Sequence, residues 1–270
     1  MTQYKKYLED NYTKATIEAY FKGITIFNNF LGDREINRPL IDEFKIYLVE
    51  ERKVSIRTVS SYFAILRNYF KFKGIDIKVP EIKYKIMDTY YNKELSRKEI
   101  NKILDAAKEN NERDYLLILL LVTTGMRVSE GLSLTTDHLE KRWIEITCKG
   151  KTRSLIIPPA VKTKLKVYVE RKDIEGSLFV SRLTKKAMSR GRVFNMVKKY
   201  GSIAKIRRDK CFPHNFRHSY TISEIEIGTD LKTLAEDLGH KGIETLEIYK
   251  QRSIEEKRKR MNKIAKYYMR

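Results

Sequence analysis

The sequence predicts a mainly α-helical (α+β) protein with one small antiparallel sheet. Apolar residues recur at helical spacing through most of the chain. The one β-rich stretch, residues 142–157, holds two short runs that flank a lysine- and glycine-bearing turn, which is typical of a hairpin. Periodicity is lost over residues 74–95, and this break predicts a linker. The chain is therefore expected to form a helical bundle over residues 1–73 and a mixed helical domain over residues 96–270.

Three amphipathic helices are predicted in the first domain. They cover residues 13–31, 39–51 and 55–73, and each carries branched or aromatic residues on one face. The second helix begins with a proline, which the first turn of a helix accepts. Gly74 is expected to cap the third helix, and Pro80 prevents its continuation.

The second domain is predicted to begin with a well-capped helix. Ser96 is the expected N-cap, and Glu99 stands three residues later, as in a capping box. Helices continue to about residue 134 and include the run YLLILLLV at residues 115–122, which is too short to cross a bilayer and suits a buried helix. After the hairpin, helical patterns return over residues 159–171, 187–200, 214–227 and 230–238.

The charge balance indicates a polyanionic partner, of which nucleic acid is the commonest. The chain has 56 Lys and Arg against 35 Asp and Glu, a net charge of +21. Residues 1–94 contribute 17 basic and 13 acidic residues, whereas residues 95–270 contribute 39 and 22, so the excess is mainly C-terminal. The two cysteines do not make a disulfide framework, and the N-terminus lacks the apolar core of a signal peptide. We therefore expect a cytoplasmic protein without a membrane partner.

Two basic motifs near the middle of the chain are candidates for binding an anion. In TTGMRVSE, Arg127 follows Gly125 at a predicted helix start, where free amides favour an anion, and Glu130 lies one turn later to orient it. The alternative is a capped helix with a surface ion pair. In CKGKTR, Lys149, Lys151 and Arg153 lie on the predicted tight hairpin. They form either a solvated turn or a basic tip that enters a DNA groove and donates a proton.

The stretch FPHNFRHS concentrates basic groups on one helical turn. His214 and Arg217 are three residues apart and share a helix face, and His218 follows directly. A metal site is not favoured, because the chain has four histidines, no HExxH and scattered cysteines. A hydrogen-bonded core is a further alternative, but two basic groups this close repel each other unless an anion lies between them. Downstream, His240 and Tyr249 are nine residues apart.

Together these motifs resemble the tyrosine recombinases, also called the phage integrase family, which includes the Xer recombinases. The residues that carry the resemblance, in chain order, are Arg127, Lys149, His214, Arg217, His240 and Tyr249. The family order is Arg, Lys, His-x-x-Arg, His or Trp, then Tyr, and residues 2–73 resemble the family's helical core-binding domain. The resemblance therefore spans nearly the whole chain.

The resemblance implies a site-specific DNA recombinase that cleaves and rejoins strands through a 3′-phosphotyrosyl intermediate. Arg127 and Arg217 would bind the phosphate with His240, and His214 would transfer a proton. Lys149, with Lys151 as rival, would protonate the leaving oxygen, and Tyr249 would be the nucleophile. Glu130 would support Arg127, and His218 receives no chemical step.

Neither a cofactor nor a metal is expected, because the sequence has no P-loop and no carboxylate cluster suited to two metals. The expected partner is double-stranded DNA with specific recombination sites. The protein is expected to be a monomer or dimer when free and a homotetramer when bound to DNA. Base reading is expected from the helix of residues 55–73, and the candidate contacts are Arg57, Thr58, Ser60, Ser61 and Arg67, with Lys151 and Arg153 of the hairpin. The basic tail SIEEKRKRMNKIAKYYMR would dock on a neighbouring subunit, and the alternatives are a phosphate-binding arm and a helix packed on its own domain. The alternatives in function are a type IB-like DNA topoisomerase and a non-catalytic DNA-binding regulator.

Overall fold

The structure, a computed structural model, describes residues 2–83, 94–148, 151–181 and 186–239, together with residues 246, 258, 261, 262, 264, 265, 268 and 269. The chain divides into two compact units, residues 1–88 and 89–270. Within the described ranges, none of the helices combines the length and the apolar character needed to cross a membrane.

The N-terminal unit is a bundle of four helices in its described part. They are α1 (Thr2–Asn11), α2 (Lys14–Leu31), α3 (Arg38–Ile46), which continues as a π-helical turn at Tyr47–Glu51, and α4 (Ile56–Lys73). The predicted helices over residues 13–31, 39–51 and 55–73 are thereby confirmed. Asn37 and Ser55 cap α3 and α4 by accepting backbone hydrogen bonds from Leu40 and Thr58.

Four phenylalanines form the centre of this bundle. Phe27, Phe44, Phe63 and Phe70 are all at most 2% exposed. The rings of Phe27 and Phe44 meet edge to face with centroids 5.1 Å apart. Such contacts add about 0.5–1.5 kcal/mol to the area that the rings bury, so this cluster fixes how α2, α3 and α4 pack together.

Helix α1 is an element that the periodicity did not assign. It packs Tyr4 and Leu8, both fully buried, against α2 and α4. The Tyr4 hydroxyl donates to Oδ1 of Asn68 at 2.8 Å, which satisfies the polar end of a buried ring. The helix is rich in charged residues, so its short apolar stripe is visible only once its partners are known.

The first half of the predicted linker packs on the bundle. Gly74 ends α4 in the left-handed conformation, as expected, with φ +68°. Val79 and Ile82 are then buried against the core of α2–α4. Nη1 of Arg67 donates to the Pro80 carbonyl at 2.8 Å and holds this segment against α4.

The C-terminal unit is mainly helical with one hairpin. Its described elements are α5 (Arg97–Asn110), α6 (Glu112–Thr124), α7 (Val128–Leu132), a 3-10 turn (Thr136–Leu139), β1 (Ile144–Cys148), β2 (Lys151–Leu155), α8 (Pro159–Lys172), α9 (Arg190–Ile203), α10 (Pro213–Glu226) and α11 (Leu231–Leu238). Ser96 and Glu99 form the predicted capping box at the start of α5.

Helix α6 is the central element of this unit. It carries the YLLILLLV run, of which Leu117, Ile118 and Leu120 are fully buried, and it packs against α5, α8 and α10. Gly125 ends α6 in the left-handed conformation with φ +60°. The Tyr220 ring of α10 lies so close to this glycine that a Cβ there would be 2.3 Å from it. The end of α6 is therefore pressed against α10.

The hairpin has a shorter connection than the sequence suggested. Cys148 pairs with Lys151 and Ile144 with Leu155, so only two residues separate the antiparallel strands. The predicted runs 142–148 and 153–157 therefore differ by two residues from the strands, at the start of β1 and at both ends of β2. As a correction, Lys151 belongs to β2 and not to the turn, and Arg153 is the third residue of β2. The structure thus confirms a mainly helical fold with a small antiparallel sheet.

Candidate active site

Arg127 lies at the start of α7, where the chain leaves the end of α6. Nη1 of its guanidinium donates to Oε1 of Glu130 at 2.9 Å, and its backbone amide donates to Oε2 at 2.7 Å. Nη2 lies 3.4 Å from the Gly239 carbonyl at the end of α11. The side chain is 31% exposed. Glu130 thus holds Arg127 through two hydrogen bonds, while part of the side chain stays accessible.

Arg217 lies at the start of the second turn of α10 and is buried, with 4% exposure. Its Nη1 donates to the Gly125 carbonyl at 2.9 Å, and its Nη2 donates to the Leu238 carbonyl. These carbonyls lie at the C-terminal ends of α6 and α11, where a carbonyl oxygen accepts no hydrogen bond from within its own helix. The ends of these two helices therefore hold the guanidinium, which contacts Gly125 of the TTG motif and Leu238 of the LGH motif.

His214 lies one turn before Arg217 on α10. Its ring meets that of His218 nearly at right angles, with centroids 4.6 Å apart. His214 keeps part of its surface open to solvent, yet neighbouring atoms crowd the imidazole enough for partial burial to lower its pKa. The charges of Arg217 and Arg127 lower that pKa further. The imidazole is therefore neutral at pH 7 and able to accept a proton.

Glu130 is the carboxylate of this site and is 5% exposed. Besides Arg127, it binds Arg153, whose Nη2 donates to Oε2 at 2.7 Å. Burial by itself raises the pKa of the Glu130 carboxyl, but the Arg127 amide and the charges of Arg153 and Arg127 outweigh this and hold the pKa below its ordinary value. Glu130 is therefore ionised at neutral pH and shared between two arginines.

Arg153 lies on the core-facing side of β2. It stands opposite Ile146, which is 8% exposed, and two residues before the buried Leu155. Its side chain is itself 10% exposed. Residues two positions apart in a strand point to the same face of the sheet, so Arg153 shares the face of Leu155. The sequence contained this signal, since Arg153, Leu155 and Ile157 stand at every second position of the predicted run 153–157, but the charge of Arg153 favoured a DNA contact instead.

Four predicted site residues have side chains of which the structure gives no description. Lys149, His240 and Tyr249 lie outside the described residues. Lys151 is described only by its backbone, as the first residue of β2. The structure therefore brings together Arg127, Glu130, His214 and Arg217. The roles of the other four remain predictions.

The predicted base-reading residues lie on α4. Arg57 and Ser61 are exposed, and Thr58, Ser60 and Arg67 are partly buried. The Ser61 hydroxyl donates to the Arg57 carbonyl at 3.1 Å. Arg67 is committed in part to the Pro80 carbonyl. Their contact with DNA remains a prediction, and Arg57 and Ser61 are the most accessible of the five.

No group of three His, Cys, Asp or Glu side chains within the described part of the chain is arranged to hold a metal ion. The groups that gather here are arginines and a neutral histidine around the Glu130 carboxylate, and the arginines suit an anion. Cys211 is buried in the unit's core, and burial raises the pKa of its thiol. It is therefore a core residue with low reactivity.

Comparison with known protein families agrees with this geometry. The profile of the "Phage integrase family" matches residues 93–256, and that of the "Phage integrase SAM-like domain" matches residues 1–72. The chain belongs to the phage integrase family, the tyrosine recombinases. This membership confirms the resemblance predicted from the motifs, and with it the prediction that the chain is an enzyme of the tyrosine recombinase class.

Curated relatives of this tyrosine recombinase include Xer proteins of archaea. Tyrosine recombinase XerA of Pyrococcus furiosus is 33% identical over 202 residues, which cover 72% of this chain and 70% of the relative. Tyrosine recombinase XerA of Thermococcus kodakarensis is 28% identical over 269 residues, which cover 97% of this chain and 93% of the relative. The recombinase is therefore Xer-like along nearly its full length.

Solved structures share the fold of this tyrosine recombinase. XerH site-specific recombinase bound to a palindromic difH substrate superposes with a TM-score of 0.77 at 22% identity, covering 96% of this chain and 82% of that one. A lambda integrase dimer bound to a COC′ core site gives 0.75 at 18% identity, covering 92% and 75%. Neither the topoisomerase nor the regulator alternative receives support from these comparisons.

Proposed function

We propose that this chain is a site-specific DNA recombinase that cleaves and rejoins duplex DNA through a 3′-phosphotyrosyl intermediate on Tyr249, without ATP or a metal ion. One observation carries the proposal. Arg127 and Arg217 are held beside each other by the ends of α6 and α11, next to a histidine that is neutral at pH 7. This arrangement suits a phosphodiester with two non-bridging oxygens.

The reaction is a transfer of the phosphoryl group between two hydroxyl groups. The Tyr249 oxygen attacks phosphorus and the bond from phosphorus to the 5′-oxygen breaks, so the tyrosine becomes joined to the 3′-phosphate. His214 accepts the tyrosine proton, and Lys149 gives a proton to the departing 5′-oxygen. The free 5′-hydroxyl of a partner strand then attacks the phosphotyrosine, and the same groups work in reverse.

The arginines lower the barrier by neutralising charge that grows on the phosphorane. A preorganised donor of this kind contributes about 3–4 kcal/mol, by analogy with the loss of one oxyanion-hole donor. Lysine would keep the charge but lose the planar fork that matches two oxygens. His240 is assigned to the same phosphate. Because the phosphotyrosyl ester keeps the energy of the broken bond, ligation requires no nucleotide hydrolysis.

The DNA partner is engaged by both parts of the chain in this proposal. Residues 1–73 are the core-binding domain and residues 96–270 are the catalytic domain with its tail, joined by residues 74–95, a division that the matched family profiles support. Phosphate contacts from the basic surface position the duplex, and α4 reads bases. We assign a homotetramer on DNA, a tail that docks on a neighbouring subunit, and action in the cytoplasm.

Covalent trapping tests this function. DNA fragments joined to the protein in cells are recovered and sequenced, and a duplex with the recovered site, nicked next to the cleavage position, is prepared as a suicide substrate. We expect the wild-type protein to give a protein–DNA adduct and Tyr249→Phe to bind equally well but give none. An adduct of undiminished yield with Tyr249→Phe would contradict the assigned nucleophile.

A second variant tests the phosphate clamp. Arg217→Lys is expected to bind the suicide substrate normally and to cleave it about 100-fold or more slowly, because the fork is lost at a buried position. Cleavage at the wild-type rate would contradict the clamp. Recombinant products from a two-site plasmid distinguish recombination from relaxation alone, which is the result a topoisomerase would give.

A further inference from the structure

Glu130 is shared by two arginines, of which the catalytic proposal uses only one. Its Oε1 accepts from Nη1 of Arg127, and its Oε2 accepts from both the Arg127 amide and Nη2 of Arg153. Arg153 comes from the hairpin, 23 residues further along the chain. The second oxygen of the carboxylate is thus fixed by a residue that carries no assigned chemical step.

The Arg153 side chain is enclosed at the point where β2 meets the end of α11. A Cβ on Gly239 would lie 3.2 Å from Cδ and 3.4 Å from Nε of Arg153, and 3.9 Å from Nη1 of Arg127. The two guanidinium groups therefore pack on the same glycine, one from each side of the carboxylate. Nε and Nη1 of Arg153 are inaccessible to solvent, and no hydrogen-bond partner for them lies among the described residues. A DNA phosphate does not reach these atoms in this arrangement.

The electrostatic surroundings of Arg153 support an internal role. Burial and the Glu224 carboxylate raise the pKa of Asp237 on α11, and the charge of Arg153 opposes them. Arg153 is thus close enough to α11 to influence an acid there, as well as Glu130 at α7. One guanidinium links β2, α7 and α11, which are the elements that carry or flank Lys149, Arg127 and His240.

We propose that Arg153 is a positioning residue for Arg127. It holds Oε2 of Glu130 in place and keeps the carboxylate ionised, so that Oε1 presents the Arg127 guanidinium in one orientation. Without Arg153, a carboxylate that is 5% exposed has one charged partner instead of two, and its Oε2 keeps only the Arg127 amide as a donor. The orientation of the carboxylate is then less tightly held. This inference rests on the proposed function, in which Arg127 acts on the cleaved phosphate.

A double-mutant cycle on cleavage tests the dependence on Arg127. Single-turnover cleavage of the nicked duplex is measured for the wild-type protein, Arg153→Gln, Arg127→Lys and the double variant. We expect Arg153→Gln to slow cleavage about 10- to 100-fold, the effect of losing one hydrogen bond to a charged group, with unchanged DNA affinity. In the Arg127→Lys background the same change is expected to cost less than about threefold, because the group that it positions is already lost. Equal losses in both backgrounds would overturn the proposal, since a general structural defect is additive.

A modified substrate separates the arginine from the hairpin lysine. When sulfur replaces the bridging 5′-oxygen, the leaving thiolate needs no proton, so loss of Lys149 is compensated. We expect the Arg153→Gln defect to persist on this substrate and the Lys149→Ala defect to disappear. Rescue of Arg153→Gln by sulfur would overturn the proposal, because Arg153 would then act by placing the lysine.

Control variants keep the outcome interpretable. Arg171→Gln removes an exposed arginine that also pairs with a glutamate, Glu112 of α6, and is expected to cleave at the wild-type rate. Arg153→Lys keeps the charge in the same place and is expected to fold and to lose about tenfold or less, so it carries the cycle if Arg153→Gln does not fold. Weaker DNA binding with an unchanged cleavage rate would overturn the proposal in favour of a DNA contact. A wild-type protein without an adduct would instead contradict the proposed function.

Discussion

Replacing Glu130 with glutamine tests whether one buried carboxylate organises the site. Glu130→Gln keeps the size of the side chain and one acceptor oxygen but removes the charge that faces Arg127 and Arg153. Loss of one partner from a buried ion pair costs about 3–5 kcal/mol. Arg127 is 31% exposed and regains water, so we expect the lower end, about 3 kcal/mol, and cleavage at least about 100-fold slower.

The loss of stability is expected to depend on pH in a defined direction. The folded-state pKa of Glu130 lies below its ordinary value of 4.5, so ionised Glu130 stabilises the fold most above about that pH. As the pH falls through the folded-state pKa, the carboxyl is protonated and this contribution disappears. Glutamine does not titrate. The difference in unfolding free energy between the wild-type protein and Glu130→Gln is therefore largest at pH 5.5–7 and shrinks below pH 4.5.

Urea unfolding at a series of pH values measures this difference. Trp143 is the single tryptophan of the chain and lies in the C-terminal unit, so its fluorescence reports the unit that contains Glu130. Glu112→Gln is the matched control, since Glu112 pairs with Arg171 on the exposed surface and such pairs contribute about 0–1 kcal/mol. A difference for Glu130→Gln that matches the control, or that stays constant down to pH 3.5, would refute the argument.

Two further pairs of variants test the fold and the DNA-reading helix. Gly125→Ala is expected to destabilise the C-terminal unit by about 3 kcal/mol, because its backbone is left-handed and the added Cβ collides with Tyr220. The control Gly176→Ala, also at positive φ but in open space, is expected to cost about 1–2 kcal/mol. Equal losses of unfolding free energy for the two variants, measured with urea, would contradict the collision. Arg57→Ala is expected to reduce the salt dependence of DNA binding by about one ion without loss of stability. Arg67→Ala is expected to destabilise the N-terminal unit by about 1 kcal/mol, because it loses the hydrogen bond to the Pro80 carbonyl. Salt titrations and thermal melts that show the reverse pattern would contradict both assignments.

Local sequence signals were sufficient for most helices and for their ends. The capping box of Ser96 and Glu99, and Gly74 that ends α4, lie within one turn of the groups they satisfy. The pairing of Arg127 with Glu130 is equally local, three residues apart. These features depend on backbone geometry over a few residues, which a single sequence encodes directly.

Contacts between distant residues were not accessible in this way. Arg217 binds the Gly125 carbonyl across 92 residues, and Arg127 binds the Gly239 carbonyl across 112. A carbonyl is present at every residue, so no side-chain pattern marks the two that serve as acceptors. Lys151 was misplaced for a different reason, because the expected turn took in two residues, Lys151 and Thr152, that the strand register pairs. Arg153 was assigned to DNA because no local pattern shows that its guanidinium binds Glu130, 23 residues away. The motifs therefore identified the site's arginines, and only the fold identified what holds them.

The partners of the arginines also determine the charge that the site offers. Arg217 donates to the neutral carbonyls of Gly125 and Leu238, and these two contacts bring no negative charge to it. Arg127 and Arg153 share the single negative charge of Glu130, and His214 is neutral at pH 7 because burial and both neighbouring guanidinium groups lower its pKa. The four groups Arg127, Arg153, Arg217 and Glu130 together carry a net positive charge. A phosphodiester under attack by a tyrosinate carries two negative charges in its pentacoordinate transition state, against one in the ground state. In the proposed reaction these four groups would therefore stabilise the transition state more than the bound DNA, which is the condition for faster chemistry and not merely for tighter binding.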